Sequence, residues 1–489
     1  MKILHTSDWH IGRRFKGLDL ADYQRRALDW LVGLVKRERV DVVCVSGDVY
    51  DSPTPSASSV DLLDDVLTRL TGITDDDGRP AVDVIITPGN HDSATKLGFG
   101  AHMMCPNLHL RCEIGDIASP VIVRRRRRIE GRAETLSVET LSVETLAVYA
   151  LPYLDPDVAR PTLARMLDEF EGNTAASNDV VSADGRTVSA DGVVSSDGRT
   201  AGDAVSSDGV AVSIPRSHEG VMTAAMRLIG DDLRRRRSED SRLTAMLMAH
   251  AFVTGASPTD SERTIAVGGV DGVPAGVFAG SGLDYLALGH LHRPQWVTVP
   301  DDGDRRAVTL ARYSGSLLAY SFSEGCRPPV VGNGKSVVLV ETDEEGRIAP
   351  DRVRVIPVES GEPALVRLRG SMAELTGPMA DNHRRDWVSL AVTEPEYPHG
   401  MYRRLDECYE SALEKGFEST RRANDRAGND AGAADAADGG ASMAGLRRNH
   451  TELDVVKAFV VHTLGRDPDA AELDVLQTAI ERVHRENGD

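Results

Sequence analysis

Cysteine is scarce: five in 489 residues, at positions 44, 105, 112, 326 and 408, with no C-x-x-C pair. That scatter excludes a zinc ribbon or a disulfide framework and fits a reducing cytoplasm. No run approaches the roughly 18 apolar residues of a membrane span. Only Ile3 and Leu4 stand before the polar His5, which gives no signal-peptide core. A GxxxxGK[ST] phosphate loop is missing too, so any use of ATP falls to another chain. Positive charge is also short. The chain has 56 Lys and Arg against 76 Asp and Glu, a formal net charge of −20. Taken whole, that argues against nucleic acid. The objection is weakened because residues 168–220 hold ten acidic and three basic side chains in a segment that reads as unfolded. Carboxylates that ligate cations would weaken it further. If the substrate is DNA, local basic patches or a partner must supply much of the phosphate contact.

What is present is an alternating pattern, long enough for two or three domains. Apolar residues at Leu20, Tyr23, Ala27, Leu28, Leu31, Leu34 and Val35 predict a helix over 20–38. "VDVVCVSGDVYD" follows as a buried strand, then a helix over about 56–70, then "VDVIITPGNHDS". "LAVYALPY" (146–153), "LTAMLMAH" (243–250) and "LDYLALGHLH" (283–292) read as further buried strands. Strands alternating with helices predict an α/β core, with ligands gathering where the strands end. The Ser-, Asp- and Gly-rich repeat at 172–214 cannot bury enough apolar surface to offset its ordering entropy and predicts a disordered insertion. The tandem duplication "LSVETLSVETLAV" (136–148) predicts a lengthened hairpin arm. Residues 419–446 read as a flexible linker. "SVVLVET" and "DWVSLAVTE" predict strands of a smaller domain over 335–415. Near the end, Leu453, Val456, Val460 and Leu464, then Leu473, Leu476, Ile480 and Val483, predict a helical hairpin. Its apolar face is left either for a partner or for the main body.

Five short pieces sit at the predicted ends of strands: Asp8-x-His10, Gly47-Asp48-x-x-Asp51, Gly89-Asn90-His91-Asp92, His250, and Gly289-His290-x-His292. Singly, each is better read as a polar turn or an ordinary histidine. Together, their carboxylate oxygens, amide oxygen and imidazoles suit divalent manganese, iron or zinc, with no thiolate nearby to favour a soft metal. One carboxylate can bridge two ions about 3.5–4 Å apart, and Asp48 is the natural bridge. The glycines before Asp48, Asn90 and His290 predict tight turns off each strand.

The set is the pattern of the calcineurin-like metallophosphoesterases. "SDWHIG", "GDVYD", "TPGNHD", "SERTIAVGG", "DYLALGHLHRPQ" and "RYSGSLLAYSFSE" narrow it: over about residues 1–330 the chain resembles the SbcD family, the nuclease subunits of bacterial SbcCD complexes. The resemblance implies two packed mixed sheets flanked by helices, then a small α/β capping domain that grips DNA, then terminal helices over 450–489. It implies a first ion held by Asp8, His10, Asp48 and His292, and a second by Asp48, Asn90, His250 and His290. Two divalent ions are expected, manganese foremost. His91 would face the scissile phosphate as acid or transition-state donor, with Asp51 orienting it.

The activity implied is ATP-dependent exonuclease action on double strands and endonuclease action on single strands and hairpins, in DNA recombination, replication and repair. The partners implied are DNA, an SbcC-like coiled-coil ATPase on which the terminal helices dock, and a second nuclease subunit. The location implied is cytoplasmic, with no membrane. A metallophosphatase or phosphodiesterase acting on a non-DNA ester is the alternative. Arg124–Arg128 and Arg234–Arg237 read as a solvated strand edge and a helix C-terminus, with phosphate contact as the other reading. Cys44 reads as a core residue, and His5 as core or as support for the ligands.

Overall fold

The computed structural model describes residues 1–129, 140–178, 213–262, 272–300, 309–324 and 331–420, with a few single positions between 460 and 476. Most of the 172–214 insertion, nearly all of the linker and almost all of the terminal hairpin lie outside the described residues. Two compact units are present, Met1–Glu362 and Pro363–Asp489.

The first unit is built on two six-stranded mixed sheets. In spatial order the first runs Val353–Pro357, Ser336–Glu341, Lys2–Thr6, Val42–Ser46, Asp83–Thr87, Leu108–Leu110. Its last four strands are parallel, and Ser336–Glu341 is antiparallel to both of its neighbours. The second runs Gln295–Val297, Leu310–Tyr313, Tyr285–Gly289, Thr244–His250, Thr140–Ala150, Val121–Ile129. Its four central strands are parallel and its two edges antiparallel.

Strand periodicity puts the two faces to different uses. Leu146 and Val148 join Met246, Met248 and Ala287 in an apolar layer shared with Ile3, Val42, Cys44, Ile85 and Val338 of the other sheet. Ala147 and Tyr149 turn the opposite way, onto Leu163 and Leu167 of helix Pro156–Asn178 and Val221 and Ile229 of helix His218–Glu239. Strands buried on both faces read as unbroken apolar runs, which is why "VVCVS" and "DVIIT" were legible. Replacing Ile85, fully buried between the sheets, by alanine would cost about 2–5 kcal/mol. Helices Ala21–Glu38 and Ala57–Thr71 bury Leu28, Leu31 and Val35, and Leu62, Val66 and Leu70. No helix among the described residues is long and apolar enough to cross a membrane.

Two expectations shift. Ser336–Glu341, expected in the second domain, pairs with Lys2–Thr6 and is a buried strand of the first sheet. The first unit therefore extends to Glu362. Helix Pro156–Asn178 runs seven residues into the segment expected to be disordered from 172. As expected, the described part of the tandem duplication, 140–148, lies in one arm of a hairpin: Thr140–Ala150 pairs antiparallel with Val121–Ile129. Arg124 and Arg125 therefore lie on an edge strand, where Arg125 pairs with Asp83 at 2.7 Å and Asp41 at 3.5 Å. Arg236 and Arg237 close helix His218–Glu239 and pair with Asp232 and Asp284.

In the second unit Leu365–Gly370, Trp387–Glu394 and Ser411–Ser419 form a wholly parallel three-stranded sheet. Parallel neighbours need crossovers. Helices Met372–Leu375 and Pro378–His383 supply the first and Met401–Cys408 the second. Leu375, Val388, Leu390, Val392, Met401 and Leu405 form its core, an α/β unit as expected.

Candidate metal centre

The parallel strands of both sheets end at one place. Asp8 and His10 follow Lys2–Thr6, Asp48 follows Val42–Ser46, and Asn90 and His91 follow Asp83–Thr87. His250 ends its strand in the second sheet, and His290 and His292 follow Tyr285–Gly289. Candidate ligand atoms of Asp8, His10 and His292 lie within 4.8 Å of one another, as do those of Asp8, Asp48 and His250, and those of His10, Asp48 and His91. Asn90 joins them through Oδ1, 2.9 Å from His250 Nε2 and 3.3 Å from His290 Nδ1. All seven side chains expected to hold metal are thus brought together, with His91 beside them.

The backbone is bent to achieve this. Asp8 (φ 52°), His10 (φ 43°), Asp48 (φ 50°) and His290 (φ 104°) occupy left-handed conformations. Each costs a non-glycine residue about 1–3 kcal/mol and persists only where the surroundings enforce it. The surroundings are hydrogen bonds between the loops. Asp8 N donates to Gly47 O (3.0 Å), His10 N to Asp48 O (2.9 Å) and His290 N to Asp8 Oδ1 (3.0 Å). Gln24, on the first helix, clamps the His10 loop by donating to His10 O (2.7 Å) and accepting from Gly12 N (3.0 Å).

The glycines act partly as expected. Gly47 has φ 84°, a turn only glycine adopts easily. Gly89 and Gly289 are instead spacers. A Cβ on Gly89 would sit 2.1 Å from Asp48 Oδ1, and one on Gly289 would sit 1.8 Å from Ser46 O. Gly89 allows two loops of the first sheet to approach closely, and Gly289 allows strand ends of the two sheets to do so.

Burial decides the electrostatics. Asp8, His10, Asp48, His250 and His292 are all at most 2% exposed. Burial alone would raise the Asp48 carboxyl, but the charge and hydrogen bond of His250, with the charges of His10 and His91, together outweigh it and hold Asp48 well below the usual carboxylate range. Burial likewise lowers His250, yet Asp48, 3.3 Å away, drives it up to about 9. His10 and His290 are held well below the usual histidine range by burial, and burial raises Asp8. The metal-free chain thus keeps one proton on His250 to offset Asp48.

These residues fit a divalent-metal site. Two carboxylates, an amide oxygen and four imidazoles converge in a buried place, and uncompensated buried carboxylates are costly. His10 Nδ1 and Asn90 Nδ2 are buried without a hydrogen-bond partner. His250 and His292 each engage Nδ1 elsewhere, on Ser46 O (3.0 Å) and Ser261 Oγ (2.6 Å), and turn Nε2 inward. His10 Nε2 and His292 Nε2 lie 3.0 Å apart, as two ligands of one cation would.

His91 is held differently. Its backbone N donates to Asp48 Oδ1 (2.9 Å), and its Nδ1 lies 2.9 Å from the backbone carbonyl of Asp51. The Asp51 carboxylate is farther, 3.7 Å from His91 Nδ1, and nearer to His10 Nδ1 and Arg13 Nη1, both at 3.4 Å. Orientation of His91 by Asp51 therefore runs through the main chain.

Sequence reasoning missed the supports. Asp92 receives Val49 N (3.0 Å), Tyr50 N (2.9 Å) and Gly89 N (2.9 Å), stitching the Asp48 and Asn90 loops together. Burial, and then the charge of Asp48, push Asp92 up to about 6. Its place in "GNHD" was the available signal. Glu262, Glu324 and Lys335 also surround the site, without any spacing that would have announced them. Cys44 is a core residue, and burial raises its thiol. His5 is also core, between Tyr285 Oη (3.1 Å) and Leu288 O (3.2 Å).

The family model described as calcineurin-like phosphoesterase matches residues 1–153. The SbcD subunit of the SbcCD nuclease of Bacillus subtilis (strain 168) is 32% identical over 342 residues, which is 70% of this chain and 66% of that protein. The chain therefore spans just under two thirds of that relative's length. Two solved chains also align. "GAP50 the anchor in the inner membrane complex of Plasmodium" has 9% identity, covers 73% of this chain and 89% of that one, and has a TM-score of 0.34. A dimetal phosphatase from Danio rerio has 12% identity, covers 73% and 99%, and has a TM-score of 0.36. At those scores neither carries weight.

Proposed function

We propose that this chain is a calcineurin-like metallophosphoesterase of the SbcD kind and that it hydrolyses phosphodiester bonds in DNA as the nuclease subunit of an SbcCD-like complex. The observation that carries the reading is the convergence of Asp8, His10, Asp48, Asn90, His250, His290 and His292 at the strand ends of two facing sheets.

Asp8, His10, Asp48 and His292 would hold one divalent cation, and Asp48, Asn90, His250 and His290 a second, with manganese the preferred ion. Bound there, the pair supplies an activated water and neutralises charge on the phosphate. The chain's own residues do the rest. The four loops fix the phosphate's position by being braced to one another through Asp92 and the Asp8 and Asp48 main chains. His91 has Nδ1–H committed to the Asp51 carbonyl, so Nε2 is its atom for the substrate, and as the imidazolium it would deliver the Nε2 proton to the leaving oxygen or donate a hydrogen bond to the transition state.

Exonuclease action on duplex ends with ATP, and endonuclease action on single strands and hairpins, are the activities proposed, serving recombination, replication and repair in the cytoplasm. A coiled-coil ATPase of the SbcC kind, a second nuclease subunit and DNA are the partners proposed. The 363–420 part of the second unit is proposed to contact DNA, and the helices over 450–489 to dock on the ATPase.

Purified chain with the ATPase, ATP and manganese should degrade linear duplex and open hairpins. Intact DNA under those conditions would refute the proposal. The net charge of −20 favours a second reading, hydrolysis of a non-DNA phosphate ester. Faster turnover of a small phosphodiester than of duplex DNA would select it.

A further inference from the structure

His292 is restrained at every polar atom except Nε2. Its backbone N donates to Glu262 Oε1 at 2.8 Å, and its carbonyl accepts from Lys335 Nζ at 2.9 Å and Ser316 N at 3.2 Å. Its Nδ1 lies 2.6 Å from Ser261 Oγ. Ser261 Oγ in turn donates to Glu324 Oε1, and Glu324 Oε2 accepts from Lys335 Nζ.

The protons fix the direction of this chain. A carboxylate only accepts, so the Ser261 hydroxyl proton points to Glu324. The Ser261 oxygen must then accept, so the proton of neutral His292 is on Nδ1. Its lone pair is on Nε2, the atom facing His10. Lys335 uses all three ammonium protons, on His292 O, Ser316 Oγ (2.9 Å) and Glu324. Glu324 and Lys335 are at most 3% exposed, and a buried ion pair survives only when its donors and acceptors are used in this way.

The four parts come from four places: Ser261 from the loop after Thr244–His250, His292 from that after Tyr285–Gly289, Glu324 from that after Leu310–Tyr313, and Lys335 from just before Ser336–Glu341. The last belongs to the other sheet. No local requirement of any one loop accounts for a buried lysine and glutamate and a half-buried serine meeting behind one histidine.

We infer that Ser261, Glu324 and Lys335 form a relay that sets the tautomer of His292 and aims its Nε2 into the metal centre, Ser261 being the positioning residue through which the Lys335–Glu324 pair acts. The inference rests on the metal-centre reading above but not on DNA as substrate. Partners of this kind on a ligating histidine typically alter metal affinity 10–100-fold.

The test is manganese binding to the full chain without DNA, followed by the loss of the free-ion electron paramagnetic resonance signal. Ser261→Ala should weaken one of two bound ions by 10–100-fold and leave the other within about threefold. Ser261→Thr, which keeps the hydroxyl, should bind both within about threefold of wild type. Circular dichroism melts of the metal-free proteins check that each is folded. If Ser261→Ala binds both ions like wild type, if both weaken alike, or if Ser261→Thr loses as much as Ser261→Ala, the relay is wrong. A wild-type chain that binds no manganese removes the relay together with the metal reading. Normal relay behaviour in a chain that leaves DNA intact removes only the nuclease reading.

Discussion

Gly289 sits where strand ends of the two sheets approach closely, and replacing it by alanine should be a damaging change. The added Cβ would lie 1.8 Å from Ser46 O, 2.9 Å from His250 Nδ1 and 3.0 Å from Ser46 C. A carbon and a carbonyl oxygen ordinarily stay about 3.3 Å apart, so the strand ends must separate by about 1.5 Å. Overpacking against backbone costs about 1–3 kcal/mol. Ser46 O is also the acceptor for His250 Nδ1, and losing a hydrogen bond to a charged imidazole adds about 1.5–3 kcal/mol. The sum is about 2.5–6 kcal/mol, with manganese affinity falling at least tenfold because His250 loses its anchor. Gly276 is the control, since a Cβ there meets nothing within 4 Å. Urea unfolding of both variants without metal, followed by manganese titration, measures the difference. Gly289→Ala within 0.5 kcal/mol of Gly276→Ala, on the order of an ordinary surface change, would refute the close-approach argument.

His91→Asn should lower the cleavage rate by roughly 10²–10⁴-fold while manganese content stays normal, read from initial rates and elemental analysis. Asp51→Ala should cost less than about tenfold, because the carbonyl that holds His91 remains; a loss equal to that of His91→Asn would contradict the main-chain contact. His5 concerns stability and pH. Burial lowers it from 6.5 to about 3, so the folded chain keeps it neutral while the unfolded chain protonates it below 6.5. Its contribution is full above pH 6.5 and is lost as pH falls toward 3, by up to about 4–5 kcal/mol at 1.36 kcal/mol per pH unit. In metal-free His5→Leu the fall of unfolding free energy between pH 6.5 and 4.5 should be shallower by about one proton; an unchanged slope would show that His5 titrates normally in the fold.

The strands that carry the ligands were legible because chemistry and pattern coincide in them. "VVCVS" and "DVIIT" are apolar on both faces and end abruptly in polar residues, so strand, burial and site could be read from one stretch. Pairing could not be read. Ser336–Glu341 has the same two-faced apolar look, yet its partner is Lys2–Thr6 at the other end of the chain, and no local pattern specifies a neighbour more than 330 residues away. Proximity across loops was equally hidden. Gly89 and Gly289 looked like turn residues, but the atoms that forbid a side chain there belong to Asp48, Ser46 and His250. Asp92 was in view beside His91, yet its three backbone donors, Val49, Tyr50 and Gly89, come partly from another loop. Asp51 shows the limit of transferring a role by position. The residue reaches His91, but by its carbonyl, which every residue has.

Everything in the proposed chemistry turns on a pair of cations sharing Asp48. Crystals grown with manganese and measured at the manganese absorption edge should show two anomalous peaks about 3.5–4 Å apart on either side of the Asp48 carboxylate, one beside His10 and His292 and the other beside Asn90, His250 and His290. No peak there, or a single peak that Asp48 does not touch, would contradict it.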